Sequence, residues 1–195
     1  MNKLIQRGVL SIAGLTAAAG IAAGPGLGLG QDATPAVTTA PVAATQQVST
    51  DKLLPDGVPA AQSTIPLSGE QKANAKAIVE ATKKAGMDER AAVVAIATSL
   101  QESKLENLGH LGDRNDHDSQ GLFQQRPSSG WGTVEQITDP QYSTTAFLKG
   151  LKQVDGWQDI PLTEAAQTVQ VSAYPDHYAQ WEKQAADLVA EHWNK

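Results

Sequence analysis

Residues 91–127 read AAVVAIATSLQESKLENLGHLGDRNDHDSQGLFQQRP, and the rest of the chain is understood from them. Ala91 to Ala97 carries no polar side chain, so a helix here is buried on nearly all sides. The same helix ends in Gln101-Glu102-Ser103, which puts a carboxylate on the last turn of an apolar rod. Partial burial there disfavours the charged form and raises the carboxyl pKa. A carboxylic acid still protonated near neutral pH can deliver a proton to a leaving group. The competing reading is that Glu102 marks the solvated end of the helix, followed by Ser103 and Lys104.

Before this stretch the chain has a different character. It has 195 residues, enough for one ordinary domain with appendages. Met1 to Gly30 reads as an export signal, with Lys3 and Arg7 in its basic start, an apolar run from Val9 to Ala23, and small residues for cleavage. An uncleaved anchor is the alternative, although the run is short and glycine-rich against the roughly 20 apolar residues of a spanning helix. Either way the remainder is placed in the cell envelope or secreted, outside the cytoplasmic membrane. Residues 31–67 form a linker rich in Ala, Thr and Pro, with no helical or strand period, expected to be extended and disordered.

A folded domain is expected over residues 68–195. Ser68 with Gln71 forms a capping box, Ala73, Ala77, Ile78, Ala81 and Ala85 give an apolar face, and Gly86 ends that helix. Asp88 caps the central helix, Glu89 to about Lys104. Turns or a short hairpin are expected between Leu108 and Gln124. Thr133 and Gln136 form a second capping box, and Asp139-Pro140 opens a helix to about Val154. Thr163 is read as the cap of a further helix through Val171. Pro175 is read as opening the last one, with Tyr178, Trp181, Ala185, Leu188 and His192 on one face. No strand period is visible, so the fold class is mainly α.

The net charge of −6 argues against nucleic-acid partners, which select a basic face. There is no cysteine to form a disulfide or serve as nucleophile. Asp113-Arg114-Asn115-Asp116-His117-Asp118 has the look of a calcium loop, but Asp118 stands at the sixth position, where such loops need glycine. The four histidines show no metal spacing. A solvated loop is therefore expected, with no metal and no cofactor. Trp131 is read either as a sugar-stacking platform or as a core anchor for its loop.

Three patterns follow one another along the domain: Gln101-Glu102-Ser103, then Ser119-Gln120-Gly121-Leu122-Phe123-Gln124, then Ser172-Ala173-Tyr174-Pro175. Their order resembles the soluble lytic transglycosylase group of the lysozyme-like superfamily, which has an E-S motif ending a buried helix, then G-L-M-Q, then A-Y-N. The Asp139-Pro140 segment through Leu151 is similar to another family segment, and Pro175 stands where the family has asparagine. The resemblance covers roughly Ala91 to Tyr178. It implies a lysozyme-like helical domain with a central buried helix and a short irregular or hairpin lobe. It also implies an exported, monomeric enzyme acting on peptidoglycan glycan strands, with no stable membrane insertion after signal cleavage. By that resemblance Glu102 is the catalytic acid and base, Ser119, Gln124 and Tyr174 form the substrate-binding set, Gln124 and Tyr174 bind sugar or orient Glu102, and Ser119 hydrogen-bonds near the catalytic carboxylate. A transglycosylase uses the muramoyl 6-hydroxyl as internal nucleophile and so needs one protein carboxyl. A hydrolase needs a second, for which Asp113, Asp116 and Asp118 are available. A non-catalytic wall-binding module with the same groove is the alternative from another class.

Overall fold

The computed structural model describes Thr50–Val58 and Ala61–Lys195. The expected export segment, and the expected linker up to residue 49, lie outside the described residues. The described chain is mainly helical, and no strand occurs in it. Its helices are α1 (Thr50–Leu53), α2 (Gly69–Lys84), α3 (Glu89–Ser103), α4 (Val134–Ile137), α5 (Pro140–Leu151), α6 (Leu162–Gln170) and α7 (Glu182–His192). None of them is long and apolar enough to cross a membrane.

The rod α3 is the axis of this arrangement. Every residue from Arg90 to Leu100 is buried, and α2, α5, α6 and α7 all pack on it. The run of small and β-branched side chains explains this, because Ala91, Ala92, Ala95 and Ala97 let neighbouring helices approach closely from every side. Both expected capping boxes form: Ser68 and Gln71 start α2, and Thr133 and Gln136 start α4. Asp88 caps α3, and Asp139 followed by Pro140 starts α5.

Two helix starts differ from the sequence reading. Helix α6 begins at Leu162 behind Pro161, and the Thr163 hydroxyl donates instead to the Pro175 carbonyl at 2.6 Å. The last helix does not open at Pro175. Residues 175–178 are turns, a 3-10 turn spans Ala179–Trp181, and α7 follows from Glu182. The apolar spacing from Tyr178 onward is real burial, but its first members sit on the turn before the helix. Periodicity alone does not separate a helix from a 3-10 turn that leads into one.

The expected lobe between α3 and α4 is irregular. It holds 3-10 turns at Gly112–Arg114 and Pro127–Ser129, and a single antiparallel bridge between Gln120 and Gln125. Its turn at Gly121 (φ +77°) lies so close to α4 that a β-carbon would fall 2.1 Å from the Ile137 carbonyl oxygen. Glycine is therefore required there both by backbone conformation and by space.

The expected linker is corrected at its end. From residue 50 the described chain is attached to the helical body. Leu53 is buried in the core, and its carbonyl accepts from Arg90 Nη1 at 3.0 Å. Residues 62–65 run along the start of α7: Ser63 N donates to Gln180 O (2.7 Å), Ile65 N to Gln184 Oε1 (3.1 Å), and Gln184 Nε2 back to Ile65 O (2.8 Å). The partners lie about 120 positions away, so no local signal reveals them. A chain beginning at Ser68 is expected to be about 2–4 kcal/mol less stable than one beginning at Thr50, from the burial of Leu53 and these hydrogen bonds. Equal urea midpoints for the two chains would show that the attachment carries no stability.

Candidate active site

The chain leaves α3 by an unusual route that places Glu102. Lys104 and Leu105 both have positive φ (59° and 63°), a conformation non-glycine residues adopt only when neighbours hold it. Those neighbours are on α2: Gln71 Nε2 donates to Lys104 O at 2.7 Å and Asn74 Nδ2 to Leu105 O at 2.9 Å. Lys104 Nζ turns back to the Leu100 carbonyl (3.0 Å) and lies over the Trp181 ring, 4.5 Å from its centroid. Ser103 Oγ donates to Leu122 O at 2.9 Å, which ties the Gly-Leu-Phe-Gln segment to the end of the rod. Gln101 Oε1 accepts from Trp181 Nε1 at 2.8 Å, so the turn before α7 is fastened there as well.

Between these anchors lies an open cleft of about 650 Å³. Glu102 sits in its wall together with residues of the irregular lobe and of the segment after α6. Tyr178 Oη donates to Glu102 Oε1 at 2.7 Å. Gln170 lies on the same wall, and its amide donates to the Phe123 carbonyl at 2.8 Å. Burial pushes the Glu102 pKa up; the hydrogen bond from Tyr178, the nearby Gln170 amide and the charge of Lys104 act against it without cancelling it, and Asp116 adds to the rise. The carboxyl also stands on the C-terminal turn of a helix, the end at which a negative charge is unfavourable. Burial beside Glu102 pushes the Tyr178 hydroxyl well above its ordinary pKa, so it remains a proton donor to the carboxylate.

Each expected site residue lines this cleft, in differing roles. Ser119 is buried in the wall, its carbonyl accepts from Asn115 Nδ2 at 3.0 Å, and it makes no hydrogen bond to Glu102. Gln124, at φ 46°, donates to the Gly121 carbonyl of its own turn at 3.1 Å. Tyr174 stands at the rim, 62% exposed and stacked on the His177 ring at 5.0 Å between centroids. Orientation of Glu102 falls to a residue outside the expected set, Tyr178, and Gln170 on the same wall also acts on its charge. The sequence does carry a signal for the first, since Tyr174-Pro175-Asp176-His177-Tyr178 offers two tyrosines and a proline that delays the helix. For Gln170 no local signal exists.

The three aspartates separate. Asp116 lines the cleft. Asp118 is a structural ligand of its own loop: Arg126 Nε donates to it at 2.9 Å and Ser128 N at 2.8 Å, and these bonds hold its carboxyl well below the usual carboxylate range. Asp113 lies in the exposed 3-10 turn, away from the cleft lining. Among the described residues no group of three His, Asp or Glu side chains is placed to hold a metal ion. Trp131 lines the cleft with its ring half-buried.

A mainly helical domain with a partly buried, hydrogen-bonded carboxyl in the wall of an open polar cleft is the class that these features define. No protein-family model and no curated protein matches the chain.

Removing the Tyr178 hydroxyl tests this account of the carboxyl. The bond favours the ionised form, so Tyr178→Phe is expected to move the Glu102 pKa further up from its already raised value. Titration of the Glu102 carboxyl carbon by NMR reads this directly. An unchanged or lower midpoint in the variant would show that Tyr178 does not support the charge.

Proposed function

We propose that this chain is an exported enzyme that cleaves the glycan strand of peptidoglycan, as a lytic transglycosylase or muramidase, with Glu102 as general acid and then general base. The observation that carries the reading is the Glu102 carboxyl itself, partly desolvated in the cleft wall and held there by the Tyr178 hydroxyl. In this reading the protonated carboxyl gives its proton to the glycosidic oxygen, and the bond from the anomeric carbon to that oxygen breaks. The resulting carboxylate, supported by the Tyr178 hydroxyl, then takes a proton from the incoming oxygen nucleophile and is restored. If that nucleophile is the sugar's own 6-hydroxyl, the product is an anhydro-muropeptide and no second carboxyl is needed. The presence of Asp116 on the cleft lining supports a second version, in which a carboxylate activates water and the products carry reducing ends.

The polar cleft, the Tyr174 ring at its rim and Trp131 in its wall suit a saccharide, which presents hydroxyls at its edges and C–H faces to aromatic rings. The order of the Glu-Ser, Gly-Leu-Phe-Gln and Ala-Tyr segments, together with the basic and apolar N-terminus, supports the choice of substrate and of compartment. The test is to incubate the purified protein with peptidoglycan and analyse soluble products by mass spectrometry. Anhydro ends indicate the transglycosylase, reducing ends the hydrolase. Absence of any product abandons the enzymatic reading in favour of a wall-binding module.

A further inference from the structure

A second hollow opens beside the cleft, and Trp131 is its shared wall. It has a volume of about 380 Å³ and is bounded by Gly130, Trp131, Tyr142, Thr145, Ala146 and Lys149. The last four lie at i, i+3, i+4 and i+7 along α5 and so form one stripe of that helix. Thr145 and Ala146 are small and leave the floor open between an aromatic end and a cationic end. Tyr142 is held at one end against Gly132, where a β-carbon would meet its hydroxyl at 3.0 Å. Lys149 stands exposed at the other end, and among the described residues no carboxylate forms an ion pair with it.

We propose that this hollow is a subsite for the acidic peptide that the glycan strand carries, with the Trp131 and Tyr142 rings against its apolar atoms and Lys149 pairing with its carboxylate. The inference rests on the glycan-cleaving reading above and extends it to the branch of the substrate. Trp131 lines both the cleft and the hollow, so the hollow is within reach of a substituent on a sugar bound beside that ring. The volume suits a short peptide segment, and the lone cation selects a negative charge in a chain that is otherwise net acidic. Tyr142 packs against Gly132 on one side and remains 37% accessible, which leaves part of its ring open to the hollow.

The test compares soluble, uncross-linked glycan strands bearing peptide stems with the same strands stripped of peptide by an amidase. The purified protein is expected to show a kcat/KM about tenfold higher on the peptide-bearing strands, the effect of one charge-assisted contact. Lys149→Glu should bring that ratio close to one by raising KM for the peptide-bearing strand, while Lys149→Arg should retain the preference. Strands whose stem carboxylates have been amidated should behave as stripped ones do. Because Lys149 is exposed, the unfolding midpoints of both variants should match that of the parent. Equal kcat/KM on the two strands, or a preference undiminished in Lys149→Glu, overturns the subsite and leaves the glycan-cleaving reading standing. Failure to cut either strand overturns both.

Discussion

Glu102→Gln is expected to lower glycan-strand cleavage by roughly 10²–10⁴-fold, the range for losing a general acid. The amide keeps the size of the side chain and can still accept from Tyr178 Oη, so the cleft should keep its shape. What it lacks is a transferable proton and, afterwards, a carboxylate to receive one. The variant should also be at least as stable as the parent at neutral pH, and the sign follows from linkage. Burial raises the folded-state pKa of Glu102 above its unfolded value. This group therefore favours the fold below the unfolded pKa, and that contribution is lost as pH rises through the folded pKa. At neutral pH the parent keeps an acidic group where burial opposes its charge, and glutamine removes that opposition. Rate measurements on purified strands and urea midpoints at pH 5 and pH 7 check both halves. Substantial residual cleavage would sink the assignment of Glu102 as the acid, and a large loss of stability would show that its role is structural.

Glu182→Ala is expected to destabilise the protein by about 3–5 kcal/mol, the usual effect of stripping one partner from a buried ion pair. Arg90 and Glu182 are almost fully buried, and Arg90 Nη1 bonds both the Glu182 carboxylate and the Leu53 carbonyl. Among the described residues Arg90 Nε and Nη2 are buried with no partner, so the guanidinium has less than its full set of hydrogen bonds there. Removing Glu182 leaves a buried positive charge with only a carbonyl for company. The loss should reach the site as well, because Glu182 directly follows the Ala179–Trp181 turn, which Tyr178 leads and from which Trp181 bonds Gln101. The double replacement Arg90→Met with Glu182→Leu should recover much of the stability, since two apolar side chains do not need the pairing. Denaturant unfolding of the three variants measures this. A Glu182→Ala loss below about 1 kcal/mol would mean that the pair is hydrated and contributes like a surface pair.

What can be read from the chain alone is local. The apolar run Ala91–Ala97 announces a buried helix by composition, and Ser68, Asp88, Thr133 and Asp139 announce where helices start, because a cap acts within three residues of itself. Glu102 stands out for the same reason: its place at the end of that run is a property of neighbouring residues. Gly121 carries its signal too, although the carbonyl that forbids a side chain there belongs to Ile137, sixteen positions on.

Tertiary structure decided the rest, wherever a group is completed from far along the chain. Residues 50–67 have the composition of a tether, yet Leu53 finds a slot against Arg90 and residues 62–65 find donors and acceptors on α7. Three aspartates look alike in sequence, and only the fold turns Asp116 to the cleft while Arg126 and Ser128 take Asp118 into the loop. Tyr178 reads as one more apolar position of a helix, and its hydroxyl acquires a purpose only when the turn after Pro175 swings it against Glu102 from 76 positions away. Capping and burial patterns act over one or two helical turns, so sequence displays them. The partners of a buried polar group are set by which helices pack together, and that is a property of the assembled core.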